Sequence, residues 1–347
     1  MSLNKEKHEA IKQFIINNVI EHPNDIGKIT AEKFGISRQG VNYHIKKLTA
    51  ENILEFEGVR KSTKYKLKET EHTFKLPVTP DMEEHRVWAD KIRPVLPILK
   101  ENIFGICAYG FQEMLNNVIF HSQSKDVQLT VTYDALKIKF WIIDSGIGIF
   151  NKIQKDFNLN NPHDAILELA KGKLTSDPEH HTGQGIFFAS RMFDEFAILS
   201  GSVCFLRDQG SDWLFERKKG PDSGTSVNMI INRDSTTTTV SIFDQYTSID
   251  EGGFSKTIVP VELMQYEGEL LISRSQARRL IARFEKFREV MLDFKGIKSI
   301  GQAFADEVFR VFRNEHPNVH LMEINANEDV QKMIKHAQAE EKSNERQ

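Results

Sequence analysis

The chain has 347 residues, 39% of them hydrophobic and 27% charged, with a formal net charge of −3. That balance describes two or three globular domains; two cysteines, Cys107 and Cys204, exclude a disulfide framework and a cysteine metal cluster. Apolar runs such as FWII at 140–143 are too short to span a bilayer, and the polar start MSLNKEKHEA lacks the apolar core of a signal peptide, so a cytoplasmic protein is expected.

The charge is unevenly divided. Residues 1–70 hold 13 Lys and Arg against 9 Asp and Glu, which leaves a net −7 on the remainder. A basic segment joined to an acidic body points to a nucleic-acid module. Within it, HEAIKQFIINNVI sets Ile11, Phe14, Ile15 and Val19 at helical spacing. TAEKFGIS predicts a short helix ending at Gly35, and Ser37 is a candidate N-cap for a further helix, RQGVNYHIKKLTAEN. Phe34, Val41, Ile45 and Leu48 face inward on this reading, while Arg38, Gln39, Asn42, Tyr43, Lys46 and Lys47 face outward. LEFEG and VRKSTKYKL predict two strands around Gly58. The order resembles a winged helix-turn-helix domain over residues 1–70. The resemblance implies a recognition helix in the DNA major groove, with Arg60, Lys61, Lys64 and Lys66 of the hairpin against phosphate.

Residues 71–94 are expected to be a linker, since KLPVTPDMEEH has two prolines and no clear period. Next comes FGICAYGFQEMLNNVIFHS, an apolar helix on which Glu113, Asn117 and His121 recur every four residues and so share one face. An apolar strand ending in Asp144-Ser-Gly146-Ile-Gly148 follows, then a turn with Gly183 and Gly185 opening an apolar helix, then Gly224-Thr225 opening a strand. Each is weak alone. In this order they resemble the gyrase, chaperone and histidine-kinase-like (GHKL) ATPases, and among these the anti-sigma-factor serine kinases. The matching motifs lie within residues 95–235.

The resemblance implies an α/β-sandwich that binds ATP with Mg²⁺. It makes Asn117 the magnesium ligand, an amide oxygen suited to a hard cation, and Glu113 the general base. Asp144 would accept from the adenine amino group, supported by Thr225, with Gly146 and Gly148 letting the backbone pass close to the base. Gly183 and Gly185 would bring helix N-terminal amides to phosphate, and His121 would orient the phosphates. The polar stretch from Phe150 to Gly185 resembles the mobile lid of these enzymes. Within it, Lys171 and Lys173 are expected as surface charges, and His180-His181 as a solvated pair. Pro80, Pro94 and Pro97 break any long helical hairpin around His85, so autophosphorylation on histidine is not expected.

A second linker is expected at 236–250, within a run rich in Thr, Ser and Gly. Beyond it, ELLISRSQARRLIARFEKF predicts a strand and then a helix capped near Ser273 or Ser275. EVMLDFKGIKSIG predicts a strand and turn, QAFADEVFRVFRNEHP a helix with Phe304, Val308, Phe309 and Phe312 inward, NVHLMEINA a strand, and EDVQKMIKHAQAE a helix. Alternating β and α units imply an α/β layer. The order resembles a STAS-like (DUF4325-type) domain over 251–347, the fold of anti-sigma-factor antagonists. That resemblance makes Ser299 a candidate phospho-acceptor, although a helix cap is the simpler role, and Arg274, Arg278 and Arg279 are expected to be solvated.

The expected whole is a multidomain α+β protein. Its expected function is that of an ATP-binding transcription regulator, with DNA, ATP and a protein partner as ligands and a homodimer as a plausible state. The alternatives are an anti-sigma-type serine/threonine kinase with its partner domain fused, and an interaction scaffold with an inactive ATP fold.

Overall fold

The computed structural model describes residues 2–58, 62–175, 182–216, 223–248, 253–265 and 269–344. The chain opens with helices α1 (Ser2–Asn18), α2 (Ile26–Phe34) and α3 (Arg38–Ala50), then an antiparallel pair, β1 (Leu54–Glu57) and β2 (Lys64–Leu67). Helical spacing turns Ile11, Ile15, Val19, Val41, Ile45 and Leu48 inward, and Leu54 and Leu67 close this core from the strands. Gly35 ends α2 in the left-handed conformation, with φ of 61°. Ser37 caps α3 by accepting from the Gly40 amide at 3.2 Å.

Next in the chain come β3 (Thr70–Pro77), α4 (Glu84–Val87), α5 (Glu101–Asn117), β4 (Asp126–Tyr133) and β5 (Lys137–Asp144). They are followed by α6 (Ile149–Asp156), α7 (Pro162–Lys171) and α8 (Gly185–Met192). Strands β6 (Glu195–Ser200), β7 (Val203–Asp208), β8 (Ser211–Glu216) and β9 (Thr225–Asn232) complete this part, with α9 (Thr239–Tyr246) behind them. Among the described residues, seven strands form one antiparallel sheet in the order β3-β4-β5-β9-β6-β7-β8. Alternation along the strands buries Leu129, Phe140, Ile198, Phe205 and Met229 beneath α5, α7 and α8, while Trp141 and Phe215 stay exposed.

Part of the expected linker at 71–94 is thus sheet. β3 pairs with β4 along its whole length, from Thr70 opposite Tyr133 to Pro77 opposite Asp126. A strand at a sheet edge tolerates its proline because one side needs no donor. His85 lies in the single turn of α4, beside Glu83 at 3.7 Å. The second expected linker contains α9, whose cap Thr238 and Ser241 exchange side-chain and backbone hydrogen bonds.

Two short strands, β10 (Thr247–Ser248) and β11 (Gly253–Phe254), lead to the C-terminal unit. This contains β12 (Lys256–Pro260), α10 (Arg274–Ile281), β13 (Glu289–Asp293), α11 (Gln302–Asp306), α12 (Phe312–Glu315), β14 (His320–Ile324) and α13 (Glu328–Asn344). The strands make a parallel sheet in the order β12-β13-β14. The strand expected at 269–273 is reduced to one bridge, Leu271 with Ile300, and β12 supplies the first strand instead. Ser273 is the cap of α10, with Gln276 completing the box. Phe304, Val308, Phe309 and Phe312 are all buried, as their spacing predicts.

The middle and C-terminal units share one hydrophobic cluster. Phe254 joins them, with ring centroids 4.6 Å from Phe187 and 5.4 Å from Phe287. Helix α7 lies at this junction, against α8 on one side and β12 on the other. Every residue from Ala165 to Lys171 is buried. The expected polar lid therefore contains an interior helix. Lys171 and Lys173, expected at the surface, are bound into the junction: Lys171 has no exposed area, and the Lys173 ammonium donates to the Lys286 carbonyl at 2.6 Å.

Candidate functional site

A cavity of about 290 Å³ opens between α5, the sheet and the segment around α6 and α7. Its wall includes Glu113, Asn117, His121, Asp144, Gly148, Gly183, Gly185 and Thr225. These come from four separated stretches of sequence, and the fold brings them to one place. Glu113 and Asn117 are one turn apart on α5. The helix then widens into a π turn, Val118–Ser122, which carries His121.

The sheet sets the floor. Register places Asp144 of β5 opposite Thr225 of β9, and Ser200 of β6 opposite the same Thr225. Asp144 is 7% exposed, and its Oδ1 accepts from the Gly146 amide at 2.8 Å. Burial pushes its carboxyl above the ordinary range; hydrogen bonds from Gly146 and Thr225 oppose that shift. The Thr225 hydroxyl also accepts from the Ile149 amide at 3.1 Å, so it ties the strand to the start of α6.

Gly146 stands behind the wall rather than in it. A Cβ there would lie 2.0 Å from the Ser122 carbonyl, so the turn after β5 and the end of the π turn can pack this closely only around glycine. Gly185 is constrained from within the cavity. A Cβ there would lie 2.1 Å from Glu113 Oε2, so the Glu113 carboxylate sits against the first residue of α8. Helix N-termini present free amides and a positive dipole end, which suit an anion. Burial, with Glu84 adding like charge, raises the proton affinity of Glu113 above that of an ordinary carboxyl.

That shift fixes the sign of a stability effect. A folded-state pKa above the ordinary glutamate value of 4.5 favours folding below that value and weakens it as pH rises through the folded pKa. Glu113→Gln is therefore expected to melt higher than the wild type at neutral pH, with the difference closing below about pH 4.5. Melting curves across that range check it; a lower melting temperature for the variant at pH 7 contradicts it.

Sequence reading missed the rest of the wall. Lys152 and Asp156 of α6, paired at 2.7 Å, line the cavity, as do the apolar Ile149, Ile153, Phe157 and Leu174. The available signal was the amphipathic spacing immediately after Gly148. The apolar side could enclose a planar aromatic group and the polar side an anion. For a divalent cation, Asn117 and Glu113 provide only part of an oxygen shell. Among the described residues, no group of three His, Cys, Asp or Glu could hold a metal.

The other predicted residues lie elsewhere. Arg38, Gln39, Asn42, Tyr43, Lys46 and Lys47 are all exposed on α3. Lys64 is exposed, whereas Lys66 pairs with Glu57 and with Glu55 at 3.3 Å. Arg60, Lys61 and the pair His180-His181 lie outside the described residues. Ser299 is exposed, but the cap of α11 is Gly301, so the expected capping role does not hold. The three arginines of α10 are paired rather than merely solvated. Arg274 meets Asp306 at 3.3 Å, Arg278 meets Glu307 at 2.6 Å, and Arg279 meets Asp164 of α7 at 3.2 Å. A charge count along α10 cannot reveal this, because the carboxylates are 29 to 115 positions away.

No helix among the described residues is long and apolar enough to cross a membrane. No curated protein matches the chain. Residues 276–331, which run from α10 through β13 and β14 into α13, match the family model of the STAS-like domain of unknown function (DUF4325), so the C-terminal unit carries a STAS-like domain.

Proposed function

We propose that the chain is an ATP-responsive transcription regulator, with a GHKL-type nucleotide domain in the middle, a winged helix that binds DNA before it, and the STAS-like domain after it. The observation that carries this reading is the meeting of Glu113, Asn117, Asp144, Gly183, Gly185 and Thr225 around one cavity. In it, Asp144 accepts from the adenine amino group, the amides at the start of α8 receive phosphate, and Asn117 donates its amide oxygen to Mg²⁺. The bound Mg²⁺ would supply charge neutralisation for the phosphates. Glu113 has the raised proton affinity of a residue able to take a proton from water or a hydroxyl. The exposed face of α3 supports DNA binding, with Arg38, Gln39, Asn42 and Tyr43 toward base edges and Lys46, Lys47 and Lys64 toward phosphate.

The half-buried Glu113 also favours a second reading, a serine/threonine kinase acting on its own STAS-like domain or on a separate one, with Ser299 as an exposed candidate acceptor. One set of measurements separates the two. Titration with fluorescent ATP and Mg²⁺ is expected to give saturable binding that Asn117→Ala weakens by about 10–100-fold. A mobility shift on mixed DNA at low salt is expected to change when ATP is added. No ATP binding by the wild type, or no DNA affinity at low salt, contradicts the regulator. Transfer of γ-label to the protein that is lost in Glu113→Ala selects the kinase.

A further inference from the structure

Arg283 brings the C-terminal unit to the rim of the cavity. Arg283 follows α10 and has a φ of 68°, a left-handed conformation rarely adopted by a residue with a side chain. Its Nη2 donates to the carbonyls of Gly172 and Lys173, each at 2.7 Å. Its Nη1 pairs with Glu168 of α7. Its guanidinium carbon lies 5.8 Å from the ring centroid of Phe157, which lines the cavity. The residues it holds lead directly into the wall. Leu174 and Thr175 line the cavity, and the Leu174 amide donates to the Gly183 carbonyl at 3.1 Å, joining these two residues of the wall.

The contact is reciprocal. Lys171, at the end of α7, donates to the Arg279 and Ala282 carbonyls at 2.9 and 3.0 Å, and Thr257 of β12 donates to the Lys171 carbonyl at 2.7 Å. The last carbonyls of a helix have no partner within it and must find one outside. At the end of α7 the Ala170 carbonyl accepts from Arg191 of α8, whereas the Lys171 and Gly172 carbonyls accept from Thr257 and Arg283 of the C-terminal unit, more than 80 residues away.

We infer that Arg283 is a positioning residue for the cavity: by holding the Gly172 and Lys173 carbonyls, just past the end of α7, across the junction, it fixes Leu174 against Gly183 and couples the nucleotide rim to the STAS-like domain. The part of this that concerns ATP rests on the function proposed above; the positioning of the rim does not. Arginine is required, because one planar guanidinium serves two carbonyls and a carboxylate at once, whereas a lysine ammonium opposite Glu168 keeps the charge without that fork.

The test is amide hydrogen exchange on the full chain, read at Leu174, for wild type, Arg283→Lys, Arg283→Ala and the control Arg278→Ala, whose arginine pairs with Glu307 away from α7. Both Arg283 variants are expected to speed exchange at Leu174 by about tenfold or more, with the β13 amides unchanged in Arg283→Lys. Arg278→Ala is expected to leave Leu174 at the wild-type rate. Affinity for fluorescent ATP with Mg²⁺ is expected to fall about tenfold in Arg283→Lys while its melting temperature stays close to wild type. Unchanged Leu174 exchange in Arg283→Lys and Arg283→Ala overturns the inference, as does an equal acceleration in Arg278→Ala. If the wild type binds no ATP, the nucleotide reading has failed, and the exchange measurement still decides the positioning role.

Discussion

Lys171→Ala is expected to lower the stability of the protein by about 3–5 kcal/mol, measured as a shift in the urea unfolding midpoint at unchanged slope. Lys171 has no exposed surface. Its ammonium is held by Glu168 at 2.6 Å and by two carbonyls of the C-terminal unit, and it lies 5.5 Å from the Phe284 ring. Burial holds its pKa below the ordinary lysine value, with Glu168 opposing that shift and Arg283 adding to it. Truncation leaves Glu168 with Arg283 as its remaining close charge partner, strips the Arg279 and Ala282 carbonyls of a donor, and opens a cavity where three methylenes packed. Each loss acts in the same direction. A surface lysine replaced by alanine changes stability by about 0.5 kcal/mol or less, so a shift of that size would refute the interior role of α7.

Asp144→Asn is expected to weaken adenine nucleotide binding by about 30–100-fold, the loss associated with about 2–3 kcal/mol from one hydrogen bond to a charged acceptor. The same change should leave the fold intact or slightly firmer, because burial disfavours the Asp144 charge in the free protein. Binding and stability therefore move in opposite directions. An overpacked or collapsed site would move them together. Titration with fluorescent ATP beside a thermal melt distinguishes the outcomes, and wild-type affinity in the variant removes Asp144 from base recognition.

Much of the local architecture was legible because its causes are local. The 3.6-residue spacing of Ile11, Ile15, Val41 and Ile45, the caps Ser37 and Ser273, and the glycine that ends α2 depend on groups within one or two turns of each other. The motif residues were legible for a related reason. A carboxylate at the end of an apolar strand, followed by glycines, marks a turn where backbone must pass close to something, and the Ser122 carbonyl turns out to be that neighbour of Gly146.

The errors share an opposite cause. Asp164, Glu168, Lys171 and Lys173 looked like a solvated lid because their charges have no partners within the segment able to satisfy them all. Arg279 and Arg283, more than 100 positions on, supply the countercharges, and Thr257, Arg279 and Ala282 the remaining hydrogen bonds. β3 escaped notice for the same reason, since its strand character comes from pairing with β4, 49 to 63 positions later. By itself, then, the sequence determined the helices, the caps and the residue types that could form a site. The tertiary structure decided that α7 is interior, that β12 begins the C-terminal sheet, and that Arg283 reaches the cavity. Burial of charge depends on partners that only the folded chain brings within hydrogen-bonding distance.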